Sequence, residues 1–142
     1  MTFKRFLLTF MSMTLAFSVL SITVSAKNRQ ENFVQPMYDI ARSPRSVLTF
    51  MGTKATCCSN ASGTNVSSIT ASQTLQKCQN NEWTAVSGAN WTSTVSANNI
   101  SIQNTKSGLT NGTYRLETVF KLTDKNGKTE TVTVYSEEKT VP

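Results

Sequence analysis

The side chains with chemical potential in this 142-residue chain are eight carboxylates, three thiols and a few aromatics; there is no histidine. Without histidine, neither a Ser-His-Asp nor a Cys-His nucleophile can be assembled, and the usual general base is missing. The carboxylates are Glu31, Asp39, Glu82, Glu117, Asp124, Glu130, Glu137 and Glu138. A glycoside hydrolase needs two of them facing each other across a substrate. Asp39 falls in an aperiodic lead-in, Asp124 in a turn, and Glu117 and Glu130 on faces expected to meet solvent. No pair stands out, so the chain is expected to be non-catalytic and to carry no cofactor.

The thiols are Cys57, Cys58 and Cys78. Adjacent strand residues point to opposite faces, so only one of Cys57 and Cys58 can look into a core. In an oxidising compartment, Cys57 or Cys58 can pair with Cys78, closing a loop of about 20 residues worth about 3 kcal/mol. One thiol would then be left over, able to link two chains as a dimer. With no C-x-x-C spacing and no histidine, no metal site is expected.

The binding candidates are aromatic: Trp91, Tyr135 and Trp83. An exposed aromatic on a sheet can stack on a sugar ring, whose face is apolar and whose edge is polar. Core packing is the competing reading, preferred for Trp83 and evenly balanced for Trp91. The net charge is +6. No stripe of Lys or Arg interleaves with aromatics, so nucleic acid is not an expected partner.

The segments that must position these residues begin with an export signal. Met1 to Arg5 is short and basic, Phe6 to about Leu20 is apolar, and Val24 and Ala26 occupy the small-residue cleavage positions. Cleavage after Ala26 predicts a secreted chain with no stable membrane insertion. The alternative is an uncleaved helix over residues 6–24 that tethers the domain. Removal of Lys4 and Arg5 from the 14 basic residues leaves 12 against 8 acidic ones, a net charge of +4 that is compatible with anionic surfaces such as wall polymers. The predicted organisation is a signal at 1–26, a flexible lead-in at 27–45 and one domain at 46–142.

Short β-prone runs divided by turn residues predict an all-β, antiparallel sandwich of about six to eight strands. The clearest strand runs from Thr113 to Thr123, with Tyr114, Leu116, Thr118, Phe120 and Leu122 on one face. A second runs from Thr129 to Ser136, after a turn at Asn126-Gly127. A three-residue loop with Gly127 left-handed puts Phe120 opposite Val132 and Thr118 opposite Val134, gathering the apolar groups on one face. Tyr135 then lies opposite Glu117 on the outer face. Ser68 to Cys78 puts Ile69, Ala71 and Leu75 on one face, with Gln73 interrupting.

Leu109-Thr110-Asn111-Gly112-Thr113-Tyr114 resembles the tyrosine corner of immunoglobulin-like domains, in which the Tyr hydroxyl bonds back to upstream backbone. Leu116 stands where antibody domains have a cysteine, so their inter-sheet bridge is absent. A wider likeness covers about Ala55 to Val141. The runs Leu75-Gln76-Lys77, Trp83-Thr84-Ala85-Val86, Trp91, Gly112-Thr113-Tyr114-Arg115, Gly127 to Thr133 and Tyr135-Ser136 resemble a group of small secreted proteins of Clostridia-type Gram-positive bacteria. That resemblance implies an Ig-like β-sandwich with a signal peptide and no assigned activity. The expected function is a secreted, non-catalytic binding or adhesion-type module at the cell envelope, its partner a wall glycan or a surface protein. A diffusible effector, such as a small toxin, a bacteriocin-like protein or an inhibitor, is the alternative. Sequons at Asn60, Asn65, Asn90, Asn99 and Asn111 would matter only in a eukaryotic secretory pathway.

Overall fold

The computed structural model describes residues 38–142; the signal and the lead-in up to residue 37 lie outside the described residues. Alternation of small apolar and hydroxyl side chains makes the described chain all-β. Its strands are β1 (Ala41–Met51), β2 (Lys54–Gly63), β3 (Val66–Gln79), β4 (Glu82–Val95), β5 (Asn99–Lys106), β6 (Gly112–Asp124), β7 (Thr129–Tyr135) and β8 (Lys139–Val141). They form two antiparallel sheets, β1-β2-β5 and β4-β3-β6-β7, with β8 also on β6. In the immunoglobulin-like scheme these are A-B-E and C′-C-F-G. The domain is a β-sandwich of that type, as the strand pattern predicts.

Turn chemistry matches strand order. Asn80 and Asn81 both have positive φ in the two-residue link between β3 and β4, the conformation a tight hairpin requires. Between β6 and β7, Asp124 N donates to Lys128 O (2.9 Å) and Gly127 N to Asp124 O (3.1 Å), with Gly127 at φ +82°. The Asp124 carboxylate accepts from Asn126 N and Lys128 N. The loop therefore has three residues, and Phe120 pairs with Val132, Thr118 with Val134 and Glu117 with Tyr135, as the apolar pattern requires.

The core has two apolar halves. One is built on Ile69, Ala71, Ile100, Phe120, Leu122 and Val132, the other on Leu48, Cys57, Leu75, Leu116 and Tyr114. A polar layer separates them, to which five strands each contribute one side chain at the same level. Ser46 and Ser59 hydroxyls lie 2.9 and 2.7 Å from Thr118 Oγ1. Gln73 Nε2 donates to Ser59 Oγ (2.7 Å) and to Cys57 O (3.3 Å), and Asn104 Nδ2 donates to Gln73 Oε1 (2.8 Å). Gln73 and Thr118 are wholly buried. No buried side-chain polar atom among the described residues lacks a partner, so the layer avoids the penalty of an unsatisfied buried group.

The structure revises four expectations. First, β1 starts at Ala41, inside the expected lead-in. A register shift between Arg42 and Arg45 takes up Ser43 and Pro44, with Ser43 at positive φ, so proline bends this edge strand without ending it. Second, the three cysteines are free. Cys78 has the outward parity of β3 and Cys58 the outward parity of β2, while Cys57 points between the sheets, so neither Cys57 nor Cys58 meets Cys78. Cys57 is buried between the sheets, Cys58 lies on the outside of β2, and Cys78 pairs with Trp83 on β4. Burial, with Cys58 beside it, pushes the Cys57 thiol up to about 12. Third, Glu130 is not a solvent-facing carboxylate. It accepts the backbone N–H groups of Asp39, Ile40 and Ala41 at 2.7 to 3.0 Å and so ties the start of β1 to β7. Fourth, Trp83 is not a core residue.

An aromatic-arginine stack on the outer face of the larger sheet

A register shift in β4 decides where the tryptophans go. On β3, two residues separate Gln76 from Thr74; on β4, five separate their partners Ala85 and Asn90. The three extra residues, an odd number, invert the facing of β4 at a bulge containing Gly88, which has φ +66°. A regular strand would put Trp83 and Trp91 on the same face, since they are eight apart. Instead Trp91, opposite Gln73, packs half-buried against the core half around Leu75. Trp83 turns outward opposite Cys78.

On the outer face, Trp83 meets Arg115 of β6. The guanidinium carbon lies 4.3 Å from the Trp83 ring centroid and 4.2 Å from that of Tyr135, so the cation is held between two rings. Tyr135 is 49% exposed. Its strand position opposite Glu117 makes it the diagonal neighbour of Arg115. Arg115 Nε donates to Gln76 Oε1 (2.8 Å), and Gln76 Nε2 donates to Glu117 Oε2 (3.2 Å). A hydrogen bond from Tyr135 to Glu117, with partial burial and the Glu117 charge, raises the Tyr135 phenol above its ordinary value, against the opposing pull of Arg115. The result is a hydrogen-bonded chain, Arg115 to Gln76 to Glu117, whose guanidinium is stacked between Tyr135 and Trp83. Among the described residues the two terminal Nη groups of Arg115 have no hydrogen-bond acceptor.

Beyond the stack the same face carries hydroxyl and amide groups in rows that Lys121 and Val119 of β6 interrupt. Thr70 bonds Thr94 (2.9 Å), Ser72 bonds Thr92 (3.0 Å), and Asn90 Nδ2 donates to Thr74 (3.0 Å). Thr131 and Thr133 continue these rows through the pairing of β7 with β6. Tyr135 also borders a cleft of about 310 Å³ lined by Arg45, Leu48, Thr49, Glu137 and Lys139 among others.

Of the three aromatic candidates, the structure brings Trp83 and Tyr135 to one site and leaves Trp91 out. Arg115, Gln76 and Glu117 complete that site. Their signal in the sequence was their parity on β3 and β6, which places all three outward. Tyr114 belongs to the frame: its hydroxyl donates to Thr110 O at 2.6 Å, and Leu109 is buried beneath the loop. Gly112 has φ +145° at the start of β6. Among the described residues no group of three or more Cys, Asp or Glu lies close enough to hold a metal ion. No protein-family model matches the chain, and no curated protein matches it.

Proposed function

We propose that this protein is an exported, non-catalytic binding module acting at or near the cell envelope, and that it takes a wall glycan on the outer face of β4-β3-β6-β7. The observation that carries this reading is the Trp83-Arg115-Tyr135 stack, an ordered polar and aromatic cluster on an open face where it does little for the core. The rings offer apolar area, and the guanidinium edge offers donors to sugar oxygens. The hydroxyl and amide groups of β3, β4 and β7 on this face suit a polyhydroxylated ligand. A protein partner fits less well, since interface centres are apolar and the only exposed large apolar residues among those described are Met51 and Tyr135. Export is supported by the basic, apolar and small-residue sequence of 1–26, and the resemblance to small secreted Gram-positive proteins points the same way.

A pulldown of the full chain on purified cell wall tests the reading. Trp83→Ala and Tyr135→Ala should each reduce the bound fraction strongly, while Trp91→Ala, once shown to fold, should not. Undiminished binding by both outer-face variants removes the aromatic mechanism.

A further inference from the structure

The side of β3 opposite the stack carries a separate feature. A pocket of about 280 Å³ opens between the β3-β4 hairpin and the loop joining β5 to β6. Two lysines line it from different sheets, Lys77 on β3 and Lys106 on β5, and no carboxylate does. The ion pairs among the described residues are Lys128 with Asp39 and Lys139 with Glu137, so neither pocket lysine is neutralised there.

Each of the two lysine side chains runs beside a glycine. Lys77 Nζ donates to Thr110 Oγ1 at 2.7 Å and lies 5.5 Å from the Tyr114 ring centroid. A Cβ added at Gly112 would come within 2.5 Å of Lys77 Cε, and one added at Gly88 within 3.2 Å of Lys106 Nζ. Both glycines have positive φ, a conformation that also disfavours other residues. The bulge at Gly88 therefore makes room for one cation and the start of β6 for the other. Ser87, Thr110 and Gln79 supply further donors around the same space.

We propose that this pocket binds a phosphoryl group. Two cations lining one pocket without a counter-charge repel each other, and a bound anion lowers that cost. Lysine binds phosphate as a point charge with three rotatable donors, which suits a tetrahedral anion. The pocket volume lies just under the usual small-molecule range of about 300–1,000 Å³, leaving space for a small polyol attached to the phosphate.

The test is a nuclear magnetic resonance titration of the full chain with inorganic phosphate, glycerol phosphate and glycerol. Saturable shifts with both phosphates, centred on the amides of Thr84, Ser87, Gly108 and Thr110, are expected, with none from glycerol. Tighter binding of glycerol phosphate assigns the site to a phosphate ester; equal binding assigns it to free phosphate. Lys106→Gln should weaken binding about tenfold, and Lys125→Gln, at the opposite end of the sandwich, should not change it. Lys77 also packs on Tyr114, so Lys106→Gln is the primary variant and Lys106→Arg should restore most of the affinity. No saturable response to either phosphate, or one unaffected by Lys106→Gln, overturns the proposal.

Discussion

Two polar networks lie back to back on β3 and β6. The inner one joins Gln73 and Thr118 to Ser46, Ser59 and Asn104 between the sheets. The outer one joins Gln76, Arg115 and Glu117 to Tyr135 and Trp83. The strands and side-chain chemistry are similar, yet the physics differs. Between the sheets, water cannot replace a lost partner, so each bond is required once its groups are buried. On the open face water replaces a partner readily, and an exposed ion or cation-π contact adds about 1 kcal/mol or less. The inner network therefore serves the fold. The outer one contributes little to stability, which is the ground for the recognition role proposed for it.

The largest expected effect comes from breaking the inner network alone. Gln73→Leu removes the acceptor of Asn104 Nδ2 and one of the two partners of Ser59, which keeps Thr118, and sets an apolar group among hydroxyls. It should cost about 2–4 kcal/mol, seen as a melting temperature lower by about 10–20 °C. Combining it with Ser46→Ala, Ser59→Ala and Thr118→Val should recover part of that loss, because removing the partners together strands fewer buried groups. A melt of Gln73→Leu indistinguishable from wild type would erase the distinction between the two networks.

Glu130 is a case between the two, since it is half-buried at the rim. Burial pushes its carboxyl up, but the backbone donors at Ala41, Asp39 and Ile40 outweigh burial and hold it below the ordinary value of 4.5. The folded state thus binds fewer protons than the unfolded one. The stability this group contributes is complete above that ordinary value and is lost as the pH falls through the depressed one. Glu130→Gln should cost about 1–3 kcal/mol near neutral pH, and denaturant titrations should show the difference from wild type shrinking below about pH 4.

A smaller effect belongs to Tyr114→Phe, which leaves the ring in the core and removes its bond to Thr110 O. It should lower stability by about 1 kcal/mol in the same denaturant assay. Smallest is the phenol titration of the outer network. Tyr135 should ionise above the ordinary tyrosine value, and Glu117→Gln should bring it back down, as followed by ultraviolet absorbance.

The contrast between networks was partly legible in the sequence. The β6-β7 hairpin was readable because both strands alternate strongly and the Asn126-Gly127 turn restricts register, so Tyr135 was correctly expected outside and opposite Glu117. Gln73 and Thr118 were visible as polar members of apolar faces, but their meeting with Ser46 and Ser59 depends on how two sheets stack, which strand periodicity does not encode. Trp83 was misread because the two-residue Asn80-Asn81 turn sets it opposite outward-facing Cys78, and the strand does not keep that facing past the Gly88 bulge. The same bulge is why Trp91, eight residues on, faces inward. The free cysteines follow from facing: Cys57 points between the sheets, while Cys58 and Cys78 point outward from opposite sheets.

The measurement that tests the central claim most directly is the cell-wall binding isotherm of Arg115→Ala, taken beside its thermal melt. The account predicts an affinity loss of at least about tenfold with a melting temperature within about 5 °C of wild type. Unchanged affinity, or a loss of binding accompanied by unfolding, would contradict it.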